Sequence, residues 1–244
     1  KFFDIVCPTG GLEVAAVVLV ATVKALRMHG GAKVFSETNL EATERGLANL
    51  KAHIKNVRAF GHNPVIALNR HQEDEEEIAI VRRFCQQMGV RFALSEHYAR
   101  GGAGAEILAK EVMAEGKDGM RPSEPLYCAE SSIKAKVDTI ARRLYGAQQV
   151  NWNKAAEKDL AEIERLGGGS LPICMAKVPG SLSDDPALLG APEGFELHVR
   201  NLQLSAGAGF IVVLTGEILR MPGLPQQPAA KKIDVENGKI IGLK

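Results

Sequence analysis

The chain has 244 residues, enough for one large domain or two ordinary ones, and 30 Lys+Arg against 29 Asp+Glu give a net charge of +1. That balance excludes recruitment of nucleic acid or an anionic membrane by an overall electrostatic field. With 45% hydrophobic and 24% charged residues the composition excludes long disorder, and no apolar run approaches the roughly 18 residues that span a bilayer. Because the chain begins at Lys1 rather than Met, we expect a piece of a longer protein.

Cysteine and histidine spacing argues against metal and disulfide chemistry. The four cysteines are scattered and form no CxxC pair, which disfavours a zinc ribbon or a disulfide framework and fits a reducing compartment. No HxxxH or HxH pair occurs among the six histidines, so no metal site is predicted. No GxSxG motif is present, which disfavours a Ser/His/Asp nucleophile.

The first half of the chain alternates strands with helices. The valine-rich apolar run over 15–21 predicts a strand covered on both faces. In chain order, the predicted elements that follow are a helix over 23–29 that stops at Gly30, a long helix with Leu47, Leu50, Ile54 and Val57 on one face, a strand over 64–69, a helix ending near Gly89, a strand over 91–95, and a helix after Gly101–Gly104. This rhythm predicts βαβ units and a parallel sheet, hence an α/β fold with flanking helices.

The second half has a different texture. Helices are predicted at 131–145 and 153–166, and alternating and buried strands follow from residue 195 onward. A turn signal over 236–239 predicts a hairpin. We therefore expect an α/β part over 1–121, connecting helices over 122–166, and a smaller C-terminal α+β domain over 167–244.

Two acidic segments have competing interpretations. The residues from Ser183 to Pro186 are read either as a metal or acid/base pair of carboxylates or, preferably, as a helix N-terminus with an acidic cap. The run of five acidic residues over 73–77 most simply favours the positive end of the following helix, which predicts a solvated helix start rather than a metal cluster.

The glycine-rich stretch Gly101–Gly104 has two interpretations of equal weight. Its backbone amides could surround a phosphate at a helix start, or it could be a flexible loop between a strand and a helix. The 244 residues contain no GxxxxGK[ST] phosphate-binding motif.

The ends of the predicted strands carry side chains suited to a planar ligand. In parallel sheets ligands bind beyond the carboxyl ends of the strands. His71 and Tyr98 follow two neighbouring strands, and a flat heterocycle could lie between their rings, with hydrogen bonds from Asn69 and Ser95. The alternative is that both rings are ordinary loop residues.

Several motifs resemble the formate–tetrahydrofolate ligase family. The run VATVKALRMHGG from Val20 to Gly31 resembles the family signature VATVRALKMHGG, with the two basic residues exchanged in kind. Further similar stretches are LPICMAK at 171–177, SLSDD at 181–185, APEGF at 191–195, LSAGAGF at 204–210, MPGLP at 221–225 and GKIIGL at 238–243. The resemblance covers all 244 residues and corresponds to the C-terminal portion of the family's chain.

The resemblance implies an activity and its cofactors. It implies ATP-dependent ligation of formate to tetrahydrofolate through formyl phosphate, giving 10-formyltetrahydrofolate, with Mg²⁺ and a monovalent cation (K⁺ or NH₄⁺). It also implies a fold akin to phosphate-loop NTPases, a homotetramer, and a phosphate-binding loop in a missing N-terminal portion of the same enzyme. Localisation in the cytoplasm is expected, with an upstream organellar targeting segment left open.

The resemblance also implies roles for individual residues. The folate clamp falls on His71 and Tyr98, where the family usually has Phe and Trp, and Leu94 matches a position in the pocket wall. Asn69 is a candidate for holding the nucleotide base, and Ser95 is a second. No catalytic residue is assigned within this chain.

We therefore expect a ligase piece that carries the folate and base wall without the triphosphate machinery, and that is inactive alone. Two alternatives remain. One is a non-catalytic module that binds folate or a purine, and the other is a structural half that completes a split assembly.

Overall fold

The computed structural model describes residues 1–70, 75–216, 226–236 and 238–242. Its α/β part is built on three parallel strands in the order β1-β2-β3, namely β1 (Val17–Ala21), β2 (Pro64–Asn69) and β3 (Arg91–Ser95). All three strands were predicted from the sequence, and their parallel pairing confirms the βαβ interpretation.

Helices connect and flank these strands. They are α1 (Cys7–Gly10, directly after a π-helical turn over Phe2–Val6), α2 (Val23–His29), α3 (Leu40–Arg58), α4 (Glu75–Gln87), α5 (His97–Arg100) and α6 (Glu106–Glu115). The Thr22 hydroxyl begins α2 by accepting a hydrogen bond from the backbone N–H of Ala25 at 3.1 Å. A 3₁₀ turn over Gly101–Ala105 leads into α6, so the prediction that the glycine-rich stretch turns into a helix is confirmed.

The core of the α/β part lies between one face of the sheet and the helices α2, α3 and α4. Its buried residues are Val23, Leu26, Leu50, Ile54, Ile66, Leu68, Ile78, Val81, Cys85 and Val90. The expectation that β1 is covered on both faces is wrong for the described residues, because Val18 and Val20 remain 39% and 58% exposed. Helix α6, on the opposite side, packs on β3 and β2.

The C-terminal part contains a mixed sheet in the order β4-β6-β7-β5. Its strands are β4 (Gln149–Trp152), β5 (Ile173–Ala176), β6 (Glu196–Ser205) and β7 (Phe210–Thr215), and only β6 and β7 pair antiparallel. Helices α7 (Ile133–Ile140) and α8 (Lys154–Arg165) contribute to the core beside it. The predicted hairpin is confirmed as β8 (Asp234–Glu236) and β9 (Lys239–Ile241). The segment 122–166 is not helical throughout, because it includes β4, which pairs with β6.

The residues from Ser183 to Pro186 do not begin a helix, so the preferred interpretation of that segment is wrong. The Ser183 hydroxyl accepts a hydrogen bond from the backbone N–H of Asp185, and the Asp185 carboxylate accepts one from the N–H of Ala187. Asp184 instead accepts hydrogen bonds from the backbone N–H and the ring of His198. Such local side-chain bonds offer the backbone an alternative to helix, so the segment forms a loop tied to β6.

Within the described ranges, no helix combines the length and the apolar character needed to cross a membrane.

Candidate functional site

Three strands of the α/β part end side by side at one edge of the sheet. Ala21 is aligned with Leu68, and Asn69 is aligned with Ser95. Thr22 and Asn69 therefore lie beside each other, and Ser95 lies on the other side of Asn69. This is the edge at which open parallel sheets bind ligands, so the structure brings together the two polar residues that the sequence proposed for a nucleotide base.

Asn69 and Ser95 differ in how much of the side chain faces solvent. Asn69 is half-buried, whereas Ser95 is only 1% exposed. The Ser95 hydroxyl lies 2.9 Å from Nδ1 of His97. The backbone carbonyl of Ser95 accepts a hydrogen bond from the N–H of Arg70 at 2.9 Å. Ser95 is thus already engaged by the protein, while Asn69 is partly exposed at the carboxyl end of β2.

Glu96, the next residue, organises the loop beyond β3. The Glu96 carboxylate forms ion pairs with Arg70 at 3.4 Å and with Arg100 at 3.0 Å. Its backbone N–H donates to the carbonyl of Gly104 at 2.9 Å. Two cations on one carboxylate hold the start of α5 against the end of β2, which fixes the position from which Tyr98 projects.

Backbone geometry explains two of the three glycines in the glycine-rich stretch, Gly101 and Gly104. A Cβ at Gly104 would lie 2.4 Å from the backbone carbonyl of Glu96, and Gly101 has a φ of +56°. Close approach and a left-handed backbone require glycine at both positions without a bound phosphate. The phosphate interpretation of this stretch stays a prediction.

The three residues proposed for the folate clamp have different outcomes. Tyr98 lies on α5 with 82% of its surface exposed. Leu94 is half-buried on β3, where it is aligned with Leu68 and packs against the core. His71 lies outside the described residues, so its position relative to Tyr98 stays a prediction.

A cleft of about 250 Å³ opens at the carboxyl end of β1, between that strand and helices α2 and α3. Its polar wall is formed by Thr22, His29, Asn49 and His53. Burial lowers the pKa of His29, and burial together with His29 and Lys177 lowers the pKa of His53. The cleft thus presents two imidazoles that stay neutral at neutral pH. Sequence reasoning missed it, because the two histidines are 24 positions apart and come together only through the packing of α2 on α3.

The signature run from Val20 to Gly31 owes several of its residues to packing. A Cβ at Gly30 would lie 1.7 Å from the carbonyl oxygen of Ala42, and one at Gly46 would lie 2.0 Å from that of Leu26. The Nδ1 atom of His29 accepts a hydrogen bond from the N–H of Gly190 at 3.2 Å. The signature therefore holds α2 tightly against α3 and anchors the loop before β6.

Arg27, also in the signature, forms a buried ion pair with Glu77. Glu77 additionally accepts hydrogen bonds from the Asn39 N–H at 3.1 Å and the Thr43 hydroxyl at 2.9 Å. Burial acts to raise the pKa of Glu77, but the bonds from Arg27, Asn39 and Thr43 outweigh it and lower that pKa. The prediction of a solvated helix start over 73–77 is therefore wrong at Glu77, which is fully buried.

Nowhere in the described ranges do three or more His, Cys, Asp or Glu side chains form a group that could hold a metal ion.

Comparison with known proteins identifies the family. The model of the family "Formate–tetrahydrofolate ligase" matches residues 1–244. A formate–tetrahydrofolate ligase of Allorhizobium ampelinum is 45% identical over 247 residues, and the match covers 100% of this chain and 44% of that protein. The chain thus spans less than half the length of this curated relative. Because the family match runs from the first residue to the last, this chain belongs to the formate–tetrahydrofolate ligase family.

Proposed function

We propose that this chain is the part of an ATP-dependent formate–tetrahydrofolate ligase that holds the folate and the nucleotide base. The observation that carries the proposal is the alignment of Asn69 with Ser95 at the ligand edge of a parallel sheet, in a chain matched by the family over its whole length. Tyr98 projects from the same edge.

The proposed reaction has two steps. A formate oxygen attacks the terminal phosphorus of ATP, the bond to the ADP oxygen breaks, and formyl phosphate forms. The amine N10 of tetrahydrofolate then attacks the formyl carbon, loses its proton and expels phosphate, which gives 10-formyltetrahydrofolate. Holding the amine beside an acyl phosphate converts a bimolecular encounter into an oriented one, which is a large part of the required acceleration.

In this account Tyr98 binds the folate by stacking. Its exposed ring offers an apolar face to the pterin, Leu94 supplies the wall beside it, and His71 is proposed as the opposing ring. Ion pairs from Glu96 to Arg70 and Arg100 support the proposal, since a stacking ring is effective only when its backbone is held in place.

Asn69 is the stronger of the two candidates for the nucleotide base. An amide offers a donor and an acceptor together, which suits the edge of a purine. Ser95, buried against His97, is better placed to fix the strand end than to contact the base directly.

The proposed division of labour leaves phosphate and cation binding to the rest of the enzyme. The 244 residues contain no GxxxxGK[ST] motif, and the described residues include no group of three or more His, Cys, Asp or Glu side chains that could hold a metal ion. Mg²⁺ and the monovalent cation (K⁺ or NH₄⁺) are proposed to bind in the rest of the enzyme, and a cytoplasmic homotetramer is also part of the proposal.

An assay of ADP release with ATP, formate, tetrahydrofolate and Mg²⁺ tests this division. The 244-residue chain is expected to bind tetrahydrofolate and to release no ADP that depends on formate. Turnover by a chain of verified mass would contradict the division of labour. Absence of both turnover and folate binding would favour the structural alternative, for which the exposed face of β1 is the relevant observation.

A further inference from the structure

A second cleft, of about 340 Å³, lies between α3 and the chain around residues 142–146. We name it the basic cleft, lined by Lys51, Lys55, Arg142, Arg143, Tyr145 and Glu193. Four cations against one carboxylate form a local excess of positive charge in a chain whose net charge is only +1.

Lys51 and Lys55 lie one turn apart on α3. Neither has an acidic residue three or four positions away on α3, and each is the other's neighbour at that spacing. Like charges at this spacing destabilise a helix, and within the described part of the chain neither lysine forms an ion pair. Because both lysines line the same cleft, their charges are placed to interact with an anionic ligand.

The arginines on the facing wall are already held in place. Arg142 uses Nε to pair with Asp138 at 2.7 Å, and Arg143 uses one terminal nitrogen to bind the carbonyl of Leu126 at 2.8 Å. Each guanidinium has further N–H groups beyond those bonds. Asn56 donates to the carbonyl of Leu144 at 3.0 Å and so ties the two walls together.

Tyr145 adds no negative charge to the cleft. Burial raises the pKa of Tyr145 to about 12, so its hydroxyl stays neutral. Glu193 is the only acidic side chain among the residues that line the cleft.

We propose that the basic cleft is a binding site for a small polyanion that carries at least two phosphate or carboxylate groups. Lys51 and Lys55 are separated along the helix by about 6 Å, which suits charges spread along a ligand better than a single anion. The volume is within the range of small-molecule pockets.

This site is separate from the folate and base edge. Lys51 and Lys55 lie in the second half of α3. The residues that line the basic cleft include none of Thr22, Asn69, Leu94, Ser95 and Tyr98. A polyanion there would bridge the α/β part and the C-terminal part.

Titration calorimetry of the 244-residue chain at constant ionic strength tests the proposal, with inorganic triphosphate as the phosphate probe and citrate as the carboxylate probe. Lys51→Gln/Lys55→Gln is the test variant. The matched control is Lys154→Gln/Lys158→Gln, which removes two exposed lysines at the same spacing on α8.

At least one probe is expected to bind, and the test variant is expected to weaken that binding by about tenfold or more, since two charge-assisted contacts are lost. The control variant should bind as the parent does. The probe that binds more tightly identifies phosphate or carboxylate as the preferred group. Absence of binding by both probes, or equal weakening in test and control variants, would overturn the proposal. Thermal unfolding of each variant without ligand verifies that it is folded.

Discussion

Arg27 and Glu77, 50 positions apart, form a buried ion pair that joins α2 to α4. Arg27 is 3% exposed and Glu77 is fully buried, so each charge depends on the other for compensation. The pair connects α2, which lies between β1 and β2, with α4, which lies between β2 and β3. It therefore links the two connections of the parallel sheet.

Removal of Arg27 is expected to destabilise the chain strongly. Arg27→Met leaves the Glu77 carboxylate buried without its cation, which costs about 3–5 kcal/mol. Arg165→Met is the matched control, because it breaks an exposed pair with Glu162 that solvent screens. Urea unfolding measures both, and similar losses in the two variants would contradict the buried-pair account.

The close packing of α2 on α3 predicts a cost for a single methyl group. Gly46→Ala would place Cβ 2.0 Å from the carbonyl oxygen of Leu26, and the helices must separate to admit it, at a cost of about 1–3 kcal/mol. The better helix propensity of alanine offsets only about 1 kcal/mol of this loss in unfolding free energy. Gly102→Ala, where nothing lies within 4 Å of the added Cβ, is the control. A stability for Gly46→Ala equal to that of the control would show that the interface is looser than described.

Stability is expected to fall as the pH drops below about 6.5. Burial lowers the pKa of His29, His53 and His62 in the folded chain, so between their folded and unfolded pKa values the unfolded chain binds more protons. The loss begins near the unfolded pKa and is complete below the folded ones. His29→Gln keeps an acceptor for the Gly190 N–H without titrating, and should reduce the dependence of the unfolding free energy on pH between 7 and 5. A slope in His29→Gln equal to that of the parent chain would argue against a role for His29.

Much of the fold was readable from the sequence, because strands and helices in a βαβ pattern follow hydrophobic periodicity. β2 and β3 begin and end where the apolar runs and Pro64 indicate, and the hairpin at 236–239 follows its turn residues. β4 was missed because Gln149–Trp152 is short and half polar, and it becomes a strand only by pairing with β6.

The candidate site was readable only in part, for a related reason. The alignment of Asn69 with Ser95 follows from two strand ends in a parallel sheet. The burial of Glu77 depends on Arg27, 50 positions away, and the basic cleft depends on α3 meeting the chain near residue 143. Contacts between distant segments leave no local pattern to read.

The exposed face of β1 predicts self-association of the 244-residue chain. Val18 and Val20 are exposed on what is an edge strand of the described sheet, and such strands pair with other chains unless they are covered. Sedimentation velocity at rising concentration should show association that Val18→Thr/Val20→Thr reduces. Val235→Thr, on the hairpin strand β8, is the control, and an ideal monomer at all concentrations would contradict the prediction.

The proposed role of His71 in the folate clamp predicts the effect of a substitution at that position. An imidazole stacks more weakly than a phenyl ring and gains charge near pH 6.5. His71→Phe is therefore expected to tighten tetrahydrofolate binding by about 1 kcal/mol, or about fivefold. Titrations at pH 6 and pH 8 measure this. Weaker binding by the variant would mean that the imidazole donates a hydrogen bond to the ligand.

The proposal that this chain holds folate is tested most directly by titrating tetrahydrofolate against the parent chain, Tyr98→Phe and Tyr98→Ala. Leu166→Ala, an exposed apolar position at the end of α8, is the control for nonspecific loss of surface. The account predicts saturable binding by the parent, little change in Tyr98→Phe and Leu166→Ala, and about five- to tenfold weaker binding in Tyr98→Ala, since only that variant removes the stacking ring. Equal dissociation constants for the parent and Tyr98→Ala, or no binding by the parent at all, would contradict it.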